Sequence, residues 1–332
     1  MNQDRPQINQ ITGLAQQAMS LLAALSAALL MLSGCGSGQD RPKLVPLRIF
    51  YGSGFAPIID ALRAEVERDL HLHILGEPSG SQAACRKVTD LQRDCDLLIL
   101  SDSELVASHL AGVCSWRLDF ATDEVVLGIS PRAPAPSEAE TDWTRVLLRP
   151  DVRLGRVNEN LAPIGYRTLM VWQLRETQGM PGLADRLRNK CTVVVDDVST
   201  LAALLKAADL DYAFIHRSTA VAWDIRHVEL DRRINLGDPN VDYSAAVVTY
   251  ERLKAGAKEL VTVHGGPVCW TLTFPDRNQN PQPALAFMRF LLTQKCDVLE
   301  RHGLRPLRPP LFYGPADRFP GDDWAHHAGS LK

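Results

Sequence analysis

Short hydrophobic runs alternate with amphipathic segments along most of this chain. Strands are predicted at residues 47–51, 71–75, 96–100 and 211–215. Those at 96–100 and 211–215 are expected to be buried, because apolar side chains follow one another with little interruption. Between such runs, apolar residues recur at helical spacing, as at Ile58, Ile59 and Leu62. Alternation of strands and helices is typical of α/β folds, and it predicts mostly parallel sheets flanked by helices.

A proline-rich break divides this pattern. Pro131, Pro134 and Pro136 follow a long predicted strand, after which the strand and helix alternation restarts. A strand at 243–250 is expected to return the chain to the first part, followed by helices at 255–260 and 283–292. The predicted organisation is lobe 1 at 47–128 with 246–312, lobe 2 at 129–245, and an irregular tail at 313–332.

Serines recur where a predicted strand ends and a helix begins. Ser53, Ser81 and Ser101 all occupy such corners, and Ser101 with Glu104 has the spacing of a capping box. A helix start has unpaired N–H groups and the positive end of the helix dipole, so it holds an anion without a lysine or arginine. Corners at the carboxyl ends of neighbouring strands face one crevice. The alternative is that these serines are ordinary helix caps.

Composition excludes some partners. Among 332 residues the formal net charge is −3 and no basic run occurs, so nucleic acid is not an expected partner. The 45% hydrophobic and 23% charged content is that of an ordinary globular chain with room for two cores.

The N-terminal segment differs from the rest. Residues 18–32 are almost wholly apolar and end in Ser33, Gly34 and Cys35. This run is shorter than the roughly 20 residues of a membrane span and has the features of a signal peptide. The Leu-Ser-Gly-Cys sequence resembles a bacterial lipobox, which would make Cys35 the lipidated first residue of an exported, membrane-anchored protein. Residues 36–46 have the composition of a flexible tether.

Six further cysteines remain after Cys35 is set aside. An even number in an exported chain permits disulfides, but the sequence does not choose among the pairings. No Cys-x-x-Cys spacing occurs, so no zinc site is expected.

Several short sequences occur together in a recognisable order. They are Gly52-Ser53, Gly80-Ser81, residues 85–91, Ser101-Asp102, Trp143, residues 148–155, Pro163-Ile164-Gly165-Tyr166-Arg167, residues 210–214, Arg217-Ser218 and residues 234–237. In these segments the chain resembles the tungstate/molybdate-binding proteins of ABC importers, the archaeal-type branch of the periplasmic-binding-protein fold. The resemblance implies a type II fold in which two lobes, joined by hinge strands, close on a tetrahedral oxyanion. It also implies delivery to a membrane permease.

The resemblance implies ligand contacts from the side chains of Ser53 and Ser81 and from the backbone at Ser101. It also implies two carboxylates that contact the metal of the anion, and these are missing here. The first position, just before the Pro-x-Gly-Tyr-Arg sequence, is Ala162, and the second is aligned with Ile215. A four-coordinate oxyanion such as molybdate, tungstate, sulfate or phosphate is therefore expected, or a ligand with an apolar part against Ile215.

Three neighbouring side chains are further candidates for ligand binding. His216 and Arg217 lie beside Ile215, and Tyr166 lies within the matching sequence. The alternative for Tyr166 is a core position, and for His216 and Arg217 a packed histidine and a solvated helix start.

An enzyme is the rival class of function. A serine nucleophile would need a histidine base, for which His216 is the available candidate, but no Gly-x-Ser-x-Gly sequence is present. We therefore expect a monomeric binding protein without catalytic residues, metal or cofactor. A tethered ligand sensor of the same fold is the alternative to transport.

Overall fold

The computed structural model describes residues 43–254 and 256–315. Cys35, most of the expected tether and most of the expected tail lie outside these residues. Within them, no helix combines the length and apolar character needed to cross a membrane.

A mixed six-stranded sheet is built mainly from the first part of the chain. Its strand order is β13-β4-β12-β3-β1-β2. The strands are β1 (Val45–Gly52), β2 (Leu72–Ser79), β3 (Leu97–Leu100), β4 (Arg117–Asp123), β12 (Val268–Thr273) and β13 (Arg305–Tyr313). The pairs β1·β2 and β1·β3 are parallel, whereas β12 pairs antiparallel with both β3 and β4.

Helices cover both faces of this sheet. They are a 3₁₀ turn (Ser53–Phe55), α1 (Ala56–Leu70), α2 (Ser81–Thr89), α3 (Glu104–His109), α9 (Gln282–Arg289), a π turn (Phe290–Gln294) and α10 (Cys296–Arg301). Successive residues of β3 enter different cores: Leu97 and Ile99 pack with α1, whereas Leu98 and Leu100 pack with α2. Burial on both faces explains the continuous apolar sequence of β3.

A second, five-stranded sheet has the order β7-β6-β8-β5-β9. Its strands are β5 (Val125–Ile129), β6 (Leu154–Val157), β7 (Val193–Val195), β8 (Tyr212–His216) and β9 (Arg226–Glu229). The helices of this part are α4 (Pro136–Leu147), α5 (Pro163–Thr177), α6 (Leu183–Lys190), α7 (Val198–Ala207) and α8 (Arg217–Ala222). Strands β6, β7 and β8 are parallel, and β5 is antiparallel to its neighbours. Both sheets are therefore mixed, with a parallel group in each.

The helix predicted at residues 255–260 is wrong. Strands β10 (Val247–Lys254) and β11 (Ala257–His264) form an antiparallel hairpin instead. Val248 and Tyr250 point into the core of the five-stranded sheet while their neighbours stay exposed, which is the two-residue period of a strand. Gly256 follows the first strand with φ +83°, a conformation that favours glycine and suits a tight hairpin turn.

The chain passes between the sheets at two places. Only Glu124 separates β4 of one sheet from β5 of the other, and residues 265–267 connect β11 to β12. The predicted lobe bounds at 128/129 and 245/246 stay predictions.

The six cysteines within the described residues are all reduced thiols. Cys85, Cys95 and Cys114 share one apolar core. Burial raises the pKa of the Cys95 and Cys114 thiols to about 12, so they behave as small apolar residues.

Candidate functional site

One small cavity lies where the two sheets approach each other. From the six-stranded side it is lined by Gly52, Ser53, Gly54, Ser79, Gly80, Ser81, Ser101 and Trp270, and from the other side by Ala162, Ile164, Val198 and His216. The cavity measures about 10 Å³, roughly the space of one water molecule. Five of the predicted residues, Ser53, Ser81, Ser101, Ala162 and His216, are thus brought together.

Five helical segments begin at the cavity wall. Ser53 opens the 3₁₀ turn, Ser81 is the first residue of α2, Ala162 precedes Pro163 of α5, Val198 opens α7, and His216 precedes Arg217 of α8. The first N–H groups of a helix have no partner within the helix, and the dipole places positive potential there. Converging starts therefore favour an anion.

The cavity serines do not act as helix caps. Ser81 Oγ lies 3.2 Å from Ser101 Oγ and accepts the Ser101 N–H over 3.2 Å. The predicted capping box of Ser101 with Glu104 is wrong, since the Glu104 N–H donates to Asp102 Oδ1 at 3.0 Å. Neither the cap of α2 nor that of α3 has a side-chain hydrogen bond. Because one of the two hydroxyls donates to the other, one O–H of this pair remains available to a ligand.

His216 is the titratable side chain of the cavity wall. It is 2% exposed, and its Nε2 atom has no hydrogen-bond partner. Burial lowers the pKa of the imidazole below its ordinary value, and the nearby Asp123 carboxylate opposes that shift. An unpartnered polar atom inside a protein is costly, so a hydrogen-bonding group in the cavity would lower the free energy of this site.

Sequence reasoning missed Trp270 and Ser79, which line the cavity, and Thr219, which lies beside it. Trp270 forms part of the wall, and its indole N–H donates to Asp123 Oδ2 over 3.2 Å. Ser79 Oγ and Thr219 Oγ1 are buried without hydrogen-bond partners, and Thr219 lies behind Gly54. Ser79 lies directly before the predicted corner at Gly80 and Ser81, and this position was the one sequence feature that could have identified it as a cavity residue. Trp270 and Thr219 come from segments whose proximity follows only from the tertiary fold.

Ile215 and Arg217 do not line the cavity. In a strand, successive side chains point to opposite faces, so Ile215 packs near Gly128 while His216 faces the cavity. Arg217 turns away, donating to the Gly303 carbonyl over 2.9 Å and lying 3.6 Å from Glu124. At the end of β8, the residue that faces the cavity is therefore His216.

Tyr166 also lies outside the cavity. Its hydroxyl donates to Asp102 Oδ2 over 2.6 Å, and its ring stacks on Tyr250 with centroids 5.4 Å apart. Burial and the Asp102 charge hold the pKa of Tyr166 well above its ordinary value, so the phenol stays neutral. Tyr166 thus ties helix α5 to the loop that carries Ser101.

Backbone contacts close the cavity. The Leu161 carbonyl accepts from the Ala83 N–H at 3.4 Å, and a Cβ on Gly80 would lie 2.1 Å from the same oxygen. Glycine at position 80 therefore permits this close approach. Ser199 Oγ donates to the Ser53 carbonyl over 3.2 Å on the opposite side. A ligand larger than water requires these contacts to separate.

The cavity wall contains no carboxylate and no lysine or arginine. Across the described residues, no group of three or more histidine, cysteine, aspartate or glutamate side chains is arranged to hold a metal ion. The polar groups that line this cavity are therefore hydroxyls, backbone N–H groups and one imidazole.

Comparisons with known proteins agree with this geometry. The family described as bacterial extracellular solute-binding protein matches residues 47–305. An uncharacterized solute-binding protein of Petrotoga mobilis is 32% identical over 243 residues, covering 71% of this chain and 76% of the relative. The molybdate/tungstate-binding protein WtpA of Pyrococcus abyssi is 27% identical over 330 residues, which cover 88% of this chain and 94% of the relative.

A solved structure has the same fold. The periplasmic molybdate-binding protein of Azotobacter vinelandii superposes with a TM-score of 0.59 at 13% identity, covering 78% of this chain and 98% of that protein. This likeness confirms the predicted two-lobed α/β fold, and the family is one of binding proteins rather than enzymes. Given the match over residues 47–305, the chain belongs to the bacterial extracellular solute-binding protein family.

Proposed function

We propose that this protein captures a tetrahedral oxyanion, molybdate or tungstate, in the cavity between its two lobes. The observation that carries the proposal is the convergence of Ser53, Ser81 and Ser101 with several helix starts on one buried cavity that contains no carboxylate. Such a wall presents hydrogen-bond donors from several directions, which suits the oxygens of a small dianion. The names of the relatives from Pyrococcus abyssi and Thermococcus kodakarensis, both molybdate/tungstate-binding proteins, support this class of ligand.

The lobes must open to admit such an anion. The cavity of about 10 Å³ is much smaller than a tetrahedral oxyanion, so the contacts between Gly80 and Leu161 and between Ser199 and Ser53 would separate on entry. Lobe 1, residues 47–128 with 246–312, and lobe 2, residues 129–245, would move about the connections at Glu124 and 265–267. Closure over the bound anion would then present one face to an ABC permease for transport.

Titration calorimetry tests this function. The purified chain is titrated with molybdate, tungstate, sulfate and phosphate under the same conditions. Saturable one-to-one binding of molybdate or tungstate, tighter than that of sulfate and phosphate, is expected. Absence of binding by all four anions would contradict an oxyanion ligand and favour a ligand with an apolar part.

We propose that Cys35 anchors the mature protein to the membrane through a lipid. The apolar segment 18–32 followed by Leu-Ser-Gly-Cys supports export and lipidation. Cys35→Ala is expected to release the protein from the membrane fraction or to leave its precursor uncut, and Cys296→Ala is the matched control. Unchanged processing and fractionation of the Cys35 variant would contradict lipidation.

A further inference from the structure

His216 occupies the cavity wall without a hydrogen-bond partner for Nε2. It is the titratable side chain among those that line the cavity. A buried dianion without a counter-charge is costly, because helix starts supply only partial positive charges. An imidazole can supply a full positive charge by taking a proton from solvent.

We propose that His216 takes up a proton as an oxyanion enters the cavity, so that Nε2–H donates to the anion and binding strengthens as pH falls. The inference rests on the proposed oxyanion function. One proton moves from solvent to the imidazole on binding and returns to solvent on release, and no covalent bond to the anion forms or breaks.

A carboxylate behind the imidazole supports this protonation. Asp123 accepts from the Ser218 hydroxyl over 2.5 Å and from the Trp270 indole over 3.2 Å. No lysine or arginine forms an ion pair with Asp123 among the described residues. Its negative charge therefore raises the pKa of the His216 imidazole without a cationic side chain paired to it.

The other charged groups nearby are already paired. Asp102 and Arg167 form an ion pair over 2.6 Å. Glu124 contacts Arg305 at 2.5 Å and Arg217 at 3.6 Å. Arg167 lowers the pKa of His216 and Asp102 raises it, so these two effects oppose each other, and Asp123 makes the largest electrostatic contribution from within the protein.

The imidazole is expected to change from neutral to charged only as the anion binds. Burial lowers the pKa of the imidazole in the closed structure, so His216 remains neutral near neutral pH. A dianion next to Nε2 raises the pKa of the imidazole and so favours the positively charged form of His216. Binding and proton uptake are then coupled at one side chain.

Calorimetric titration with molybdate in two buffers of different ionisation enthalpy counts the protons taken up per anion. About one proton is expected, with affinity rising by up to about tenfold for each unit that pH falls across the range where free His216 is neutral. His216→Gln, which keeps an N–H donor without titrating, is expected to take up no proton and to bind with nearly constant affinity. His227→Gln, on β9 and outside the cavity wall, is the matched control and should behave as the unmodified chain.

Each outcome separates this inference from the proposed function. Molybdate binding without proton uptake by the unmodified chain would overturn the inference and leave the oxyanion function standing. The same would follow if X-ray absorption showed a nitrogen ligand on the metal, since a metal-bound Nε2 carries no proton. If no oxyanion bound to the unmodified chain, both would be overturned. The proton count of the unmodified chain decides the question even where His216→Gln fails to fold.

Discussion

The Arg167 guanidinium donates a hydrogen bond to Asp102 Oδ2 over 2.6 Å. Both side chains are buried, at 5% and 3% exposure. Asp102 follows β3 of the six-stranded sheet, and Arg167 lies in the first turns of α5, beside the five-stranded sheet. Since Asp102 is adjacent to Ser101, one short loop carries both a cavity residue and the ion pair that joins the two parts of the molecule.

Asp102→Asn is expected to favour the open form. The variant leaves Arg167 buried without its counter-charge, and loss of one partner of a buried pair costs about 3–5 kcal/mol. Opening of the lobes would relieve that cost by hydrating the guanidinium. We expect weaker molybdate binding in calorimetry and a larger radius of gyration in X-ray scattering.

Glu140→Gln is the control for this ion pair. Glu140 and Arg226 form an exposed pair at 2.5 Å, and such pairs contribute about 0–1 kcal/mol. Affinity and scattering should match those of the unmodified chain. If Asp102→Asn also matched it, the Asp102–Arg167 pair would have no role in closure.

Ser53→Ala and Ser81→Ala are each expected to weaken molybdate binding by about 1–3 kcal/mol, the range for a hydrogen bond to a charged group. The fold should persist, because neither hydroxyl caps a helix. Calorimetry measures the affinity and thermal unfolding checks the fold. Ser108→Ala, on α3 away from the cavity, is the control. Full affinity in both cavity variants would show that these hydroxyls do not contact the anion.

The sequence predicted the corners of the site better than the roles of individual side chains. A strand followed by serine and a helix is a local pattern, so Ser53, Ser81 and Ser101 could be identified without a structure. The sequence could not show whether Ile215 or His216 faces the cavity, because the direction of each side chain depends on which face of β8 packs against α7. A shift of one residue exchanges the two faces of a strand.

Other differences come from contacts between distant segments or from a competing residue nearby. The 255–260 segment contains residues compatible with a helix, but pairing with β10 and packing of Val261 and Val263 on the core favour a strand. Trp270 lies far along the chain from Ser81, and no local pattern connects them. The Asp102 carboxylate, rather than the Ser101 hydroxyl, accepts the Glu104 N–H at the start of α3, because aspartate is also a good acceptor for the first N–H groups of a helix.

Acid is expected to destabilise the ligand-free protein through His109. Burial, with a contribution from Arg252, lowers the pKa of His109 to about 4. The unfolded chain therefore binds this proton first, so stability is full above about pH 6.5 and falls as pH drops toward 4. The loss from this side chain is about 3 kcal/mol at the acidic end, and neutralisation of His216 by burial acts in the same direction.

Thermal unfolding by circular dichroism across this range measures the effect. His109→Gln should unfold at a temperature that depends less on pH, although it loses the stacking of His109 on Tyr250. His227→Gln should retain the full pH dependence. Equal slopes for His109→Gln and the unmodified chain would assign the acid sensitivity to other groups.

A bound molybdate or tungstate is expected to keep four oxygen ligands. Expansion of the metal toward six-coordination needs donors that reach it directly, and carboxylates supply them well. The cavity presents an alanine at position 162 and His216 at the end of β8. Asp123 lies behind the wall, with its oxygens occupied by Ser218 and Trp270.

X-ray absorption at the metal edge of the loaded protein measures this geometry, because the pre-edge feature is strong for a tetrahedral centre and weak for an octahedral one. Ala162→Asp offers a direct comparison, since it restores a carboxylate at the cavity wall. A tetrahedral spectrum is expected for the unmodified chain, and added long metal–oxygen contacts are expected for the variant. Six-coordinate metal in the unmodified chain would mean that a carboxylate reaches the anion on closure. Discrimination against sulfate would then rest on coordination rather than on size. With tetrahedral metal, sulfate is disfavoured only by the donors it leaves unpaired, at about 1–3 kcal/mol for each.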